Sequence, residues 1–477
     1  MKIALVVDNP LRDLPGLVLV GAHLANAGAT VYLVPMNLQQ WEVFALAPDY
    51  VLVNYCRKNN EVLIARMLSA GIRVGVLDTE GGVLASLDSY AQTLASDMEV
   101  RSSITSFMTW GPVLGKYAVQ SGWFTGDQVA ITGSPRYDFY HDTWRPAALE
   151  FTDVPGDDSK PLVMFNGNFP LANPQFYTPE EEARQLIEGF GYSAEDVGKW
   201  QSAQRSTMTG LTTLANDLAE RFPDVRFVYR PHPFEGLKAY ENLLVPRPNL
   251  QFLRDGTVAG WILRSAAVIQ RSCSTAIEAA MAGTIPLSPS WVPTAAEIDV
   301  VNAVSYPCRT TDEMVATLAQ ILAGNFTPPS SERESLAKVV GDWFTAIDGK
   351  AAERVAQTIL AGMPSTRDES LEKRCKRALY GLDAAIRQRV VGSVRRSLGL
   401  SPEQSFRPWD NKRSDWAGSI KAFGSAEVER IANAVTNASP RGSMRPIRVA
   451  PASPADSSPT RSRYSPRSVM LVPAGVA

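Results

Sequence analysis

Long apolar runs are missing from this chain of 477 residues. No stretch approaches the roughly twenty uninterrupted apolar residues that a membrane span needs. The opening Met1-Lys2-Ile3-Ala4-Leu5-Val6-Val7 meets Asp8 too soon for a signal-peptide core, and no small-residue cleavage site follows. Cysteine is scarce: Cys56, Cys273, Cys308 and Cys375 are scattered, with neither the paired spacing of a zinc site nor a disulfide framework. These absences predict a protein that stays in the reducing cytoplasm. Two nucleotide signatures are also missing. Without G-x-G-x-x-G and without a P-loop, dinucleotide oxidoreduction and P-loop NTPase chemistry have no support. There is no internal repeat of fixed short period.

The residues that are present describe a globular protein with large cores: 45% hydrophobic, 20% charged and 9% aromatic, with mean hydropathy −0.10. The length exceeds what one core supports, so two folded domains plus extra segments are expected. The net charge of −2 hides an asymmetry. Up to Ser365 there are 27 Lys+Arg against 39 Asp+Glu, and beyond it 20 against 10.

Short β-branched runs alternate with helical patterns over residues 1–150: Ile3–Val7, Val31–Val34, Tyr50–Asn54, Ile72–Leu77, Ile104–Thr109 and Val129–Thr132. Strands apolar on both faces, separated by helices, predict a doubly wound parallel α/β sheet. After the polar stretch Phe151–Lys160 the rhythm restarts over 160–330, with Leu162–Phe165, Arg226–Tyr229, Ala267–Gln270 and Ile285–Leu287. Ligands of such domains bind beyond the carboxyl ends of the strands, so the chemistry is expected in those loops. Helices over 331–363 are expected to pack back across both domains. Over 366–400, Leu371, Cys375, Leu379, Leu382, Ile386, Val390, Val394 and Leu398 step by three or four among basic residues, which predicts a basic amphipathic helix. Pro, Ser and Arg dominate 438–477 and predict disorder.

In Tyr229-Arg230-Pro231-His232-Pro233, directly after a strand, two prolines hold His232 in an extended loop end. There it serves either as a hydrogen-bond donor to a phosphate, with Arg230 adding charge, or as a loop residue capping a neighbouring element. Arg271-Ser272-Cys273-Ser274-Thr275 precedes a helix; its hydroxyls fit an N-cap or a phosphate cradle at the helix start. Glu278, one turn in, is either a ribose ligand or an exposed helix glutamate.

In the first domain, Asp78-Thr79-Glu80-Gly81-Gly82 ends the fourth strand with two acids and two glycines. A carboxylate there is a general base or nucleophile, or a turn cap, and the glycines allow a ligand near the backbone. Asp-x-Glu also has the spacing of a divalent-metal pair, but no third ligand accompanies it, and nothing requires a metal or other cofactor. Arg12 in D-N-P-L-R-D and Asn54, Arg57 and Asn60 in N-Y-C-R-K-N-N occupy the same rim and suit an anionic substrate group. Arg136, in Gly133-Ser134-Pro135-Arg136-Tyr137-Asp138, sits at the domain border as a structural corner or a hinge contact.

The acid-acid-Gly turn, the His-Pro pair and the later hydroxyl cluster, in that order, resemble the motif set of bacterial GT-B glycosyltransferases that use CMP-activated acidic sugars, the sialyltransferases and capsule Kdo transferases. D-N-P-L-R-D-L-P-G, N-Y-C-R-K-N-N, D-T-E-G-G, G-S-P-R-Y-D and R-P-H-P look most like the surface carbohydrate biosynthesis proteins. The resemblance spans roughly 1–362. It implies two Rossmann-like domains, an acceptor-side one first and a nucleotide-sugar one second, followed by the helical extension and tail. It implies that His232 and Pro233 contact the CMP phosphate, that Ser272, Ser274 and Thr275 complete the nucleotide pocket, and that Glu80 or Asp78 is the catalytic acid/base. Thr79 stands where the sialyltransferase pattern has a second adjacent acid, so the resemblance does not choose between those two carboxylates. The implied partners are a nucleotide-sugar donor and a saccharide or glycolipid acceptor. G-x-P-R-x-D and His-Pro also resemble CDP-glycerol glycerophosphotransferases, and a UDP-sugar GT-B enzyme or a noncatalytic scaffold of polysaccharide assembly shares the framework; a sugar-nucleotide epimerase ranks below these. The basic helix over 366–400 either meets an anionic membrane at the inner face of the cell or packs on the domains, with Gly381 and Gly392 weakening it. No base-stacking motif accompanies the positive charge, so nucleic acid is not expected.

Overall fold

The computed structural model describes residues 1–84, 86–156, 159–190, 192–363, 370–397, 421–440, 443–452 and 468–474. The chain divides into two compact α/β units: unit 1 comprises 1–151 and 340–477, and unit 2 comprises 152–339.

Unit 1 begins with six parallel strands, β1 (Lys2–Val7), β2 (Thr30–Pro35), β3 (Tyr50–Val53), β4 (Arg73–Leu77), β5 (Ser106–Thr109) and β6 (Val129–Ile131). Ile3 to Val7 and Val31 to Val34 are buried on both faces, as strands covered by helices on each side must be. In the order β2-β1-β3-β4-β5-β6 the chain runs from β1 to one side and then returns to the other, so a crevice opens beyond the carboxyl ends of β1 and β3. The helix Pro10–Asn26 leaves that crevice with Asn9 as its N-cap, the Asn9 side chain accepting from the Leu11 amide at 3.1 Å, and with Pro10 in the first turn. Gly16 in this helix lets the 133–138 loop press against it: a Cβ there would lie 2.9 Å from the Arg136 nitrogen.

Unit 2 is a separate six-stranded parallel sheet: β7 (Leu162–Asn166), β8 (Arg226–Arg230), β9 (Leu250–Phe252), β10 (Ser265–Gln270), β11 (Ile285–Pro289) and β12 (Tyr306–Cys308). Its order, β12-β11-β10-β7-β8-β9, puts the reversal between β7 and β10. The buried residues of the 28-residue helix Ala194–Arg221, including Leu211, Leu214 and Leu218, join Phe165, Phe227 and Tyr229 of the sheet in one core. The two Rossmann-like doubly wound α/β units expected from the sequence are therefore present.

Three sequence expectations change. The segment 331–363 is split: the helix Ser330–Val339 ends unit 2, the single π-turn Val340–Phe344 opens the return to unit 1, and Ala351–Ala361 packs there with Asp138 capping it at 3.0 Å and 2.8 Å from the amides of Ala351 and Ala352. The tail 438–477 is not wholly disordered. Strands β13 (Ile447–Pro451) and β14 (Val469–Pro473) form an antiparallel hairpin, and β14 adds to the edge of β2. Composition misled because two short segments suffice: the open edge of β2 supplies hydrogen-bond partners, and Ile447, Val469 and Leu471 are buried. The R-S-R-Y-S-P-R stretch lies outside the described residues. The helix Ser425–Ala438, with Val428, Ile431 and Val435 buried, was unforeseen. Finally, the basic helix spans Leu371–Ser397 and docks on unit 1. Arg377 donates to the carbonyls of Ala70 (3.2 Å) and Gly71 (3.1 Å), and Tyr380 packs on Phe44. Residues 366–369 and 398–400 lie outside the described residues. Among those described, no helix is long and apolar enough to cross a membrane.

Candidate functional site

Each unit gathers its own cluster beyond its strand ends. In unit 1, β3, β4 and β1 bring Asn54, Asp78 and Asp8 to one rim. Asp78 is 1% exposed and fully engaged: it accepts from Arg57 at 3.0 and 3.3 Å, from the Tyr90 hydroxyl at 2.9 Å and from the Glu80 amide at 2.9 Å. Burial pushes its carboxyl above the usual range, and the Arg57 guanidinium opposes the shift. Arg57 also bridges to Glu80 at 3.0 Å and lies over the Tyr55 ring. Glu80 differs in one respect that matters chemically, because its side chain is 55% exposed.

A pocket lies beside this cluster, floored by Val6, Leu17, Leu52 and Val53 and walled by Asp13, Asn54, Asp78, Thr79, Trp110 and Arg136. Arg136 lies against the rings of both Trp110 (4.9 Å) and Tyr137 (4.7 Å), which themselves pack edge to face, and this corner holds its guanidinium. The Trp110 indole N–H is buried without a hydrogen-bond partner, a group that a ligand oxygen would satisfy. Asn54 reaches this wall with its amide nitrogen 3.2 Å from the Met36 sulfur. Arg12 stands at the edge, bridging Asp8 (3.0 Å) and Asp13 (2.8 Å), and Lys421 of the C-terminal segment pairs with Asp8 from the other side.

Three of the sequence-derived residues have local structural jobs. Asn60 accepts from the Arg57 amide at 2.8 Å and donates to the Tyr55 carbonyl at 2.8 Å, so it shapes the loop that presents Arg57. Gly82 makes room for protein rather than ligand: a Cβ would lie 2.5 Å from Trp110 and 2.9 Å from Phe344. Gly81 likewise sits against the Trp110 edge, at 3.4 Å.

In unit 2 the loops after β7, β8 and β10 end side by side. His232 Nδ1 accepts from the Phe234 amide at 3.2 Å, so the neutral ring carries its proton on Nε2. Glu235 ties the loops together. Fully buried, it accepts from the amides of His232 (2.7 Å) and Phe169 (3.0 Å) and from the Tyr240 hydroxyl, and burial pushes its carboxyl up to about 7. Arg230 is buried and turned toward the loop after β9. Its guanidinium donates to the carbonyls of Arg254, Asp255 and Gly256 and stacks over Trp261, and burial pushes it down to about 10. Its expected role in binding anions is thereby replaced by anchorage of the loop after β9.

The hydroxyl cluster is built from strain and burial. Ser272 holds φ at +54°, the left-handed region that side chains rarely adopt. The buried Gln270 side chain accepts from the Cys273 amide at 2.8 Å and stabilises the turn. Ser274 sits at the N-cap of Thr275–Ala282 without capping it, and Thr275 Oγ1 is buried against the Cys273 thiol, with no nitrogen or oxygen partner among the described residues. Glu278, one turn on, is buried rather than exposed. The amides of Ala276 and Ile277 already donate to the Cys273 and Ser274 carbonyls at 3.1 and 3.0 Å, so the turn is closed mainly by its own backbone. Pro233 follows His232 on the same loop, half-buried.

Sequence reasoning passed over Glu235, Tyr90, Trp110 and Lys421. Glu235 was within reach, since an acid three residues after a proline-clamped histidine can accept its backbone amide; Lys421 carries no local signal.

No family model matches the chain, and no curated protein matches it. Solved structures do. One assigned as a UDP-N-acetylglucosamine 2-epimerase from Listeria monocytogenes has TM-score 0.50 at 11% identity, covering 76% of this chain and 97% of that one. The UDP-GlcNAc 2-epimerase of Neisseria meningitidis with UDP-GlcNAc bound has TM-score 0.45 at 15% identity over 76% and 100% of the two chains. The wall teichoic acid polymerase TagF, as its H548A variant, has TM-score 0.43 at 9% identity over 76% and 89%. At such identities the likeness is one of fold, and it agrees with two Rossmann-like units of the GT-B type.

Proposed function

We propose that the chain is a glycosyltransferase of surface polysaccharide synthesis that takes an acidic sugar from a CMP-sugar donor and passes it to a saccharide or lipid-linked acceptor. The observation that carries this reading is the trio in unit 2: a histidine whose tautomer is set by the Phe234 amide, a strained Ser272 turn leading into a helix start where Ser274 makes no side-chain cap, and a buried Glu278 one turn further. A phosphate accepts from His232 Nε2 and from hydroxyls of the Ser272–Thr275 turn, while a carboxylate at Glu278 accepts from ribose hydroxyls.

In the transfer, the acceptor oxygen bonds to the anomeric carbon as the bond from that carbon to the phosphate oxygen breaks. The electron pair leaves with CMP, whose charge the unit 2 donors stabilise, and the acceptor proton goes to a general-base carboxylate. Of the two acids after β4, Glu80 is the one open to solvent; Asp78, saturated by Arg57, Tyr90 and the Glu80 amide, positions Arg57 and the turn. Arg136, held against two rings, is suited to a carboxylate.

UDP is the competing nucleotide, since two of the proteins alike in fold are described as UDP-N-acetylglucosamine 2-epimerases. Thermal-shift binding of CMP, CDP, UMP, UDP and NAD to the purified chain separates the readings. A rise with CMP that His232→Ala abolishes is the expected result. Preference for CDP or UDP replaces the donor assignment with a glycerophosphotransferase or a UDP-sugar enzyme, and no response to any nucleotide replaces the enzyme with a scaffold.

A further inference from the structure

The helix Leu371–Ser397 carries its apolar residues on the wrong side for a docked helix. Arg377, Tyr380 and Gly381 face unit 1: Arg377 holds the carbonyls of Ala70 and Gly71, Tyr380 packs on Phe44 and under Arg66, and Gly381 sits against the Phe44 backbone. Leu371, Leu379, Leu382, Ile386 and Val390 are each at least half exposed, Leu371 at 75% and Leu379 at 63%. At 3.6 residues per turn these five positions fall within about 100° of the helix circumference, opposite the docked face. Exposed leucines scattered singly mean nothing, but five apolar residues along one arc need a partner, even with Glu372, paired to Lys376 at 2.7 Å, and position 389 at the edges of that arc.

Charge identifies that partner. The helix carries eight Lys and Arg against two acids, Glu372 and Asp383. Exposed Arg374 and half-buried Lys376 occupy helical positions to either side of the stripe, and Asp383 is turned toward Arg66. A narrow apolar stripe with cationic margins is the composition of a helix lying in the plane of a bilayer interface. A second copy of the chain would bring the same cationic helix against this one and is disfavoured by repulsion.

We infer that this helix seats unit 1 on an anionic bilayer surface, its apolar stripe sunk among the acyl chains and its basic margins on the headgroups. Over 27 residues it would lie along about 40 Å of membrane. The inference does not depend on which nucleotide unit 2 binds.

The test is cosedimentation of the full chain with vesicles of phosphatidylcholine alone and of phosphatidylcholine with phosphatidylglycerol. It is repeated with Leu379→Gln, Leu382→Gln and Ile386→Gln combined. These positions are exposed and glutamine keeps helix propensity, so circular dichroism and melting temperature should hold. Binding to the anionic vesicles, weakened by salt and reduced at least about tenfold in the triple variant, is expected. Absence of binding to anionic vesicles, equal binding to neutral ones, or binding that the triple variant retains overturns the inference. So does a concentration-dependent dimer that the triple variant dissolves, which would give the stripe to a second copy.

Discussion

Asp78 and Glu80 are two residues apart and share Arg57, yet their surroundings divide the work between them. Glu80→Gln is expected to lower turnover, followed as CMP release, by about 10²- to 10⁴-fold, the range of a lost general base, with an unchanged melting temperature. Asp78→Ala leaves Arg57 with Glu80 as its remaining acid and removes the acceptor of the buried Tyr90 hydroxyl, and should cost about 1–3 kcal/mol in denaturant unfolding. Thr275→Val keeps shape and removes the buried hydroxyl; CMP affinity by calorimetry should fall about tenfold while stability holds or improves. Glu235 makes stability depend on pH. Its folded carboxyl titrates near 7, above its ordinary value of 4.5, so its contribution is complete below about 4.5 and is lost as pH rises through about 7. Melting temperature should therefore decline over that window, and Glu235→Gln should flatten this part of the profile.

The hairpin of β13 and β14 is the element whose removal is easiest to test. Leu471 is fully buried against Gly21 of the first helix, so Leu471→Ala should cost about 2–4 kcal/mol in chemical denaturation. The six parallel strands of unit 1 and β7, β8, β10 and β11 of unit 2 were legible in the sequence because each is a short apolar run, whereas the three-residue edge strands β9 and β12 were missed. β13 and β14 were missed too, since a five-residue strand at an edge has no periodicity to distinguish it inside a Ser/Pro/Arg-rich tail. The same contrast runs through the candidate sites. His232, Ser272, Asp78 and Glu80 announce themselves by their place after a strand, and the structure puts each at a strand end. Arg230 shares that place in sequence but turns inward, because carbonyls of the loop after β9 compete for its guanidinium and win. Gly82 looked like an opening for a ligand, but the space it frees belongs to Trp110 and Phe344, which come from distant parts of the chain.

At the scale of the whole molecule, unit 2 owns its sheet and its core, whereas unit 1 is assembled from both ends of the chain. Residues 152–339 expressed alone should fold, give a cooperative melt and retain any nucleotide response of the full chain. Residues 1–151 alone lack the helices Ala351–Ala361 and Ser425–Ala438 and the strand that closes β2; they should be recovered aggregated or unfolded by circular dichroism.

Because β14 pairs with β2 across more than four hundred residues of sequence, birth on the ribosome runs out of structural order. At about 5–20 residues per second, β2 emerges tens of seconds before the strand that covers it. Unit 2 can finish folding in that interval, while the N-terminal half of its neighbour waits with a bare sheet edge. That interval is when trigger-factor-like holdases have the most to bind, and when a slow or stalled translation does the most harm.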